Sequence, residues 1–99
     1  MNSNHGLSQD TVDKIKRVLV SFSEIKKTIL YGSRAKGTFK TGSDIDLTLD
    51  APTLTTSQLL SIQGKIDDLL LPYKVDLSIL QKIENAELVD HIRRIGKEF

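Results

Sequence analysis

The chain has 99 residues, of which 38% are hydrophobic and 27% are charged, a balance typical of a soluble globular domain. It has no cysteine, which excludes disulfides and thiolate-bound metals, and no apolar run approaches the roughly 20 residues that cross a bilayer. The net charge of +1 offers no bulk attraction for nucleic acid. We therefore expect one domain over residues 1–99, with no membrane binding and no strong nucleic-acid binding of its own.

The first third of the chain predicts a helix followed by a short strand. Residues 1–6 lack the basic start and the apolar core of a secretory signal, so we expect a cytoplasmic protein. Ser8 can cap a helix whose apolar residues recur at helical spacing: Val12, Ile15, Leu19 and Phe22. Residues 28–31 predict a strand that ends at Gly32, and residues 33–36 can form one helical turn before the next loop.

The rest of the chain alternates between strands and helices. Residues 44–49 alternate polar and apolar positions, as a half-buried strand requires, and a helix over residues 57–70 follows. Residues 73–80 alternate in the same way and predict a third strand. A last helix is predicted to carry one apolar stripe: Leu88, Ile92, Ile95 and Phe99. The order α-β-α-β-α-β-α predicts an α/β fold, a small mixed sheet of about three strands flanked by helices.

Two aspartates, Asp44 and Asp46, lie on the second predicted strand. Residues two positions apart project from the same face, so the two carboxylates can share a divalent ion, and Mg²⁺ is usually held by one or two carboxylates plus substrate phosphates. Alone, such a pair is more often a solvated polar face. Asp76 lies on the polar face of the third strand, which would bring it beside the pair if the strands are adjacent. Three carboxylates can hold two metal ions for in-line displacement at phosphorus, with Asp76 as a metal ligand and a proton acceptor.

A Gly-Ser turn precedes the aspartates. Gly32 lets the backbone approach a phosphate without a Cβ in the way, and Ser33 adds a hydroxyl and a backbone N–H. Arg34 and Lys36 are close enough in sequence to reach a triphosphate, although charged residues in loops are most often solvated. The turn and the carboxylates together predict nucleotidyl transfer.

Three segments resemble a known family: Gly-Ser-Arg-Ala-Lys-Gly, then Ser-Asp-Ile-Asp-Leu, then Val-Asp-Leu around Asp76. They resemble the DNA polymerase beta-like nucleotidyltransferases and, within that superfamily, the minimal (MNT-type) enzymes of bacteria and archaea. The resemblance implies the nucleotidyltransferase fold and transfer of AMP from ATP with Mg²⁺ and release of pyrophosphate. The catalytic and metal-binding residues that it implies, with a two-metal site, are Asp44, Asp46 and Asp76. The nucleotide-binding residues assigned with them are Gly32, Ser33, Arg34, Lys36 and Ser43.

The resemblance also implies a partner. Many minimal nucleotidyltransferases are antitoxins that are paired with a HEPN-domain toxin, an RNase encoded beside them. It therefore implies a hetero-oligomer in which AMP is transferred to a tyrosine of the toxin. Contact points for such a partner include the stripe of the last helix and Leu71, although packing in the core is the commoner use of a helix stripe.

Two other functions fit the same residues. The acceptor can be a small molecule such as an aminoglycoside, or an RNA 3′ end, but the small size and near-neutral charge argue against both. The chain can also be a binding module that neutralises a toxin by occlusion, without catalysis. Neither histidine is assigned a role, because His5 lies near the terminus and His91 is predicted to lie on a solvated helix face.

Overall fold

A computed structural model describes residues 5–99 as helices on both faces of a four-stranded sheet. The helices are α1 (Gln9–Leu19), α2 (Gly32–Lys36), α3 (Thr56–Asp67) and α4 (Ala86–Ile95). The strands are β1 (Lys27–Tyr31), β2 (Ile45–Asp50), β3 (Val75–Ile79) and β4 (Lys97–Glu98), with a 3₁₀ turn over Leu80–Lys82. This architecture confirms the predicted α/β class. In residues 5–99, each helix is too short or too polar to span a bilayer.

Side-chain caps define where three of the helices begin. The hydroxyl of Ser8 accepts a hydrogen bond from the Thr11 N–H, as the sequence predicts for α1. Thr55 and Gln58 form a reciprocal capping box at the start of α3. The Asn85 side chain accepts from two N–H groups in the first turn of α4. Each cap satisfies backbone donors that have no partner within the helix.

The strands lie in the order β3-β2-β1-β4. β1 runs antiparallel to both β2 and β4, whereas β2 and β3 are parallel. The sequence prediction of about three strands misses β4, a two-residue strand that pairs with Ile29 and Leu30 after the chain leaves α4 at Gly96. Phe99 therefore follows a strand, and its predicted place on the last helix is wrong. Polar residues at 97 and 98 show no alternation from which this strand could be predicted.

The two faces of the sheet differ in composition. One face carries the fully buried residues Leu30, Ile45, Leu47 and Leu49, which pack in a single apolar core with the buried sides of α1 and α3. The other face carries Tyr31, Asp46 and Asp76, and α4 packs on it through Ile92 and His91. The apolar face thus anchors the strands, and the polar face lies where the sequence analysis expects a functional site.

Candidate active site

One row of side chains crosses three strands of the polar face. In the strand register Tyr31 of β1 pairs with Asp46 of β2, and Asp46 pairs with Asp76 of β3. Paired residues on neighbouring strands project from the same face with their side chains close together. The alternation in the sequence predicts which face the aspartates occupy, and the parallel pairing of β2 with β3 brings Asp46 and Asp76 side by side.

The position of Asp46 raises the pKa of its carboxyl group. Partial burial is the largest cause, followed by the negative charges of Asp76 and Asp44 and by a hydrogen bond with Asp76, while His91 acts in the opposite direction. These carboxylates therefore repel one another at neutral pH. A cation between them would relieve the repulsion, so the donor set fits a divalent ion.

Gly32 lies directly against Asp46. Its φ is +75°, and a Cβ at this position would collide with the Asp46 carboxylate. A residue with a side chain would strain the backbone and displace Asp46. Gly32 is thus required by the packing of the site itself, in addition to any approach of a phosphate.

His91 reaches the same turn from α4, contrary to the sequence prediction of a solvated helix face. Its Nε2 accepts a hydrogen bond from the Gly32 N–H at 3.2 Å, and its ring meets the Tyr31 ring edge-on with centroids 6.2 Å apart. His91 therefore occupies the N–H of Gly32, the residue at which the sequence analysis expects the backbone to approach a phosphate. Its spacing of three and four residues from Leu88 and Ile95 places it on the flank of the apolar stripe, a signal that was available in the sequence.

Tyr31 is a second site residue that the sequence analysis missed. Burial is the largest cause that raises the pKa of its hydroxyl; the charges of Asp46 and Asp76 add to this effect and a hydrogen bond with Ser78 opposes it. Behind this row, the Ser78 hydroxyl donates to the hydroxyl of the fully buried Thr48 at 2.8 Å. Alternation from the buried Leu30 places Tyr31 on the polar face, so the strand pattern contained this information.

Arg34 is buried, and its guanidinium is bonded within the protein. Its side chain is 2% exposed, and its guanidinium donates to the Ser43 carbonyl at 2.9 and 3.1 Å and to the His5 carbonyl at 2.8 Å. The guanidinium also lies about 5.0 Å from the ring centroid of Phe39 and 4.9 Å from that of Tyr73. Arg34 therefore has a structural role that ties the loop before β2 to α2, a role that the sequence analysis did not predict, and its contact with nucleotide stays a prediction.

The other predicted site residues lie around this core of the site. Asp44 is exposed one residue before β2, and Lys36 is exposed at the end of α2. The Ser33 carbonyl accepts from the N–H groups of Gly37 and Thr38, which closes the turn. The Ser43 hydroxyl accepts from the Lys40 N–H, and its carbonyl is used by Arg34. Contact of these four residues with ligand stays a prediction.

The predicted convergence of three carboxylates is only partly present. Among residues 5–99, no group of three His, Cys, Asp or Glu side chains is arranged so that it could hold a metal ion. The strand register brings together Asp46 and Asp76, while Asp44 lies outside the strand. A protein nevertheless usually supplies only one or two carboxylate ligands to Mg²⁺, and substrate phosphates and water supply the others.

A glycine turn beside two adjacent carboxylates on a mixed sheet defines a domain suited to phosphoryl transfer with a divalent ion. The sequence profile of the family described as polymerase beta, nucleotidyltransferase matches residues 13–99. The chain belongs to this family, and the predicted nucleotidyltransferase fold is confirmed. A search of curated protein sequences finds no match.

Solved structures similar to this chain come from toxin–antitoxin complexes. A chain of a toxin–antitoxin structure with AMP-PNP is 26% identical with a TM-score of 0.70, over 93% of this chain and 72% of that one. A chain of the tri-AMPylated Shewanella oneidensis HEPN toxin in complex with MNT antitoxin is 23% identical with a TM-score of 0.69, over 93% and 71%. A chain of the Y104A mutant of the MntA–HepT toxin–antitoxin is 26% identical with a TM-score of 0.68, over 94% and 72%. These matches confirm the resemblance to minimal nucleotidyltransferases.

Proposed function

We propose that this chain is an antitoxin that transfers AMP from ATP to a hydroxyl group of a HEPN-domain toxin. The observation that carries the proposal is the row formed by Tyr31, Asp46 and Asp76 beside the Gly32 turn. The AMP-PNP bound in one similar complex and the AMPylated toxin in another support a nucleotide donor and a protein acceptor. The acceptor residue that we propose is a tyrosine, in a hetero-oligomer formed in the cytoplasm.

The reaction is a displacement at the α-phosphorus of ATP. A bond forms between the acceptor oxygen and the α-phosphorus, the bond from that phosphorus to the bridging oxygen breaks, and pyrophosphate leaves. Asp46 and Asp76 would hold Mg²⁺, and Asp44 would have to move from its place in the adjoining loop to become a further ligand. When bound, Mg²⁺ neutralises charge on the triphosphate and lowers the pKa of the attacking hydroxyl. Asp76 can take up the proton that the acceptor loses.

Labelling ATP at two different phosphates tests whether AMP is the group transferred. The purified chain is incubated with Mg²⁺, the HEPN-domain protein encoded next to it, and ATP labelled at either the α- or the γ-phosphate. We expect the α-label on the HEPN protein and the γ-label in pyrophosphate. Label on the HEPN protein from γ-labelled ATP would indicate a kinase instead. Equal labelling by wild type and by the Asp46→Asn and Asp76→Asn double variant would contradict the proposed site.

A second candidate function is neutralisation of the toxin by occlusion. The observation that favours it is the hydrogen bond from Gly32 to His91, which occupies a backbone N–H of the turn where the triphosphate is proposed to bind. The same double variant separates the two functions in cells. Catalysis predicts that Asp46→Asn with Asp76→Asn no longer protects cells from the toxin, whereas occlusion predicts full protection.

A further inference from the structure

The direction from which an acceptor enters follows from the proposed reaction. In an in-line displacement the attacking and leaving oxygens lie on opposite sides of the phosphorus. If the triphosphate lies at the Gly32–Ser33 turn beside β1, pyrophosphate leaves on that side of Asp46. The acceptor hydroxyl must then approach from the Asp76 side, where β3 forms the edge of the sheet.

A cleft of about 420 Å³ opens on this side. It extends from Asp76 and Lys74 to Gln63 and Asp67 of α3 and to the loop between α3 and β3, where its walls include Leu70, Leu71 and Tyr73. Lys74 and Asp76 form an ion pair of 3.7 Å at its rim. The cleft thus joins the candidate active site to a neighbouring surface.

That surface continues along α3. We define the α3–β3 surface as Leu60, Gln63, Gly64, Asp67, Leu70 and Leu71. Leu60, Gly64 and Asp67 follow one another at helical spacing, so they share one side of α3. Leu60 is 66% exposed, and a Cβ added at Gly64 would meet nothing within 4 Å, so a partner could approach this side closely.

Leu70 is the most exposed large hydrophobic residue of this surface. It is 87% exposed, and its φ of +55° lies in the left-handed region. That conformation costs a residue such as leucine about 1–2 kcal/mol, and glycine or asparagine would adopt it more easily. The Leu70 N–H donates to the Asp67 carbonyl at 3.1 Å, so the left-handed backbone closes the turn that ends α3. That turn does not require an apolar side chain, and the Leu70 side chain is left in solvent.

Exposed apolar residues concentrate on this side of the protein. In the described residues 5–99, the large hydrophobic side chains that are exposed are Val20, Leu60 and Leu70. Two of the three belong to the α3–β3 surface, whereas Val20 follows α1 and lines a different cleft with Phe22 and Phe99. From Leu60 to Asp67 the surface covers about 10 Å of helix axis before it reaches Leu70. This length suits a protein partner better than a small acceptor.

We propose that the α3–β3 surface docks the protein that carries the acceptor hydroxyl, with Leu70 as the anchor and the cleft beside it leading to Asp76. This inference rests on the proposed function for the direction of attack. The partner is a protein that presents an apolar patch to Leu60 and Leu70, next to a side chain with a free hydroxyl. That hydroxyl is the group that bonds to the α-phosphorus while its proton passes to Asp76 and pyrophosphate departs on the Gly32 side.

A single substitution separates docking from folding. Leu70→Asn removes the apolar anchor but keeps a residue that tolerates the left-handed conformation, and Val20→Asn is the matched control at the other exposed site. We expect Leu70→Asn to weaken binding of the HEPN-domain protein at least tenfold by calorimetry and to raise the KM for that acceptor with little change in kcat. Its Tm should be unchanged or higher, and its affinity for AMP-PNP unchanged. Val20→Asn should leave all five quantities as in wild type.

Several results would overturn the proposed surface. Wild-type binding by Leu70→Asn would do so, and so would a loss of binding accompanied by a lower Tm or a lower AMP-PNP affinity, because those changes indicate a structural role. A dimer of the wild-type chain that Leu70→Asn dissociates would assign the surface to a second copy. Failure of the proposed function looks different: wild type would bind the HEPN protein and Leu70→Asn would not, yet no AMP would be transferred.

Discussion

Replacing Asp46 by asparagine should stabilise the fold while it abolishes nucleotidyl transfer. The carboxylates of Asp46 and Asp76 lie opposite each other on paired strands, and like charges in such positions destabilise a sheet by about 0.2–1 kcal/mol. For a domain of this size, 1 kcal/mol corresponds to about 4–8 °C in Tm, so Asp46→Asn should raise the Tm by roughly 1–8 °C at pH 7 without divalent ions.

The effect should depend on pH in a defined direction. Since folding raises the pKa of Asp46, the folded state holds this proton more tightly than the unfolded state. The charge of Asp46 therefore lowers the free energy of unfolding as the pH rises through the folded pKa, and this penalty is absent below the ordinary pKa of an aspartate. Asparagine carries no such charge. The difference in Tm between Asp46→Asn and wild type should thus be largest at neutral pH and vanish near pH 3.5.

Thermal unfolding followed by circular dichroism, in EDTA and in Mg²⁺ with AMP-PNP, measures these differences. The double variant Asp46→Asn with Asp76→Asn should gain less than the sum of the single variants, because each substitution removes the same repulsion. Mg²⁺ with AMP-PNP should raise the Tm of wild type more than that of Asp46→Asn. The reasoning is refuted if Asp46→Asn is less stable than wild type at pH 7 in EDTA, or if the difference grows on acidification.

Three further substitutions test how the site is held in place. Arg34→Ala should destabilise the fold by about 3–5 kcal/mol, because two backbone carbonyls lose a charged donor. Arg34→Lys should recover only part of this stability. Chemical denaturation measures both variants, and a loss below about 1 kcal/mol for Arg34→Ala would contradict the structural role. His91→Ala should lower the free energy of unfolding by about 1 kcal/mol, because the Gly32 N–H loses its acceptor. His91→Gln should lower it less in the same denaturation experiment. Equal losses of stability in the two variants would argue against that hydrogen bond. Gly32→Ala should lower both the Tm and the AMP-PNP affinity, whereas Gly64→Ala, in open space on α3, should stabilise the fold by about 0.5–1 kcal/mol and leave affinity unchanged.

The sequence was sufficient for the parts of this structure that depend on local pattern. Alternation of polar and apolar residues predicts the faces of β2 and β3, and with them the common side of Asp46 and Asp76. Helix boundaries differ by a few residues: α3 is predicted over residues 57–70 and observed at Thr56–Asp67. The third strand begins at Val75 and not at residue 73, and Tyr73 lies before the strand, where its ring packs on Arg34.

The sequence was insufficient where distant segments meet. Nothing near Arg34 in the chain indicates that it lies between Phe39 and Tyr73, so its charge suggested a ligand contact. The contact of His91 with Gly32 joins residues 59 positions apart, and no local pattern specifies such a pair. The same limit applies to the exposure of Leu70, which depends on how the chain turns after α3.

Several features that are unfavourable for folding gather at one end of the sheet. Asp46 and Asp76 repel each other, Gly32 has a positive φ against the Asp46 carboxylate, and Leu70 combines strain with exposure. Local conflicts of this kind are expected where a protein keeps a site for function at some expense of stability. Each unfavourable feature also indicates the ligand that would stabilise it: a cation would neutralise the carboxylates, and an apolar partner would cover Leu70. Because these two ligands act on different residues, Mg²⁺ with nucleotide and the partner protein should each stabilise the fold. Asp46→Asn should abolish only the stabilisation by Mg²⁺ with nucleotide, and Leu70→Asn only the stabilisation by the partner.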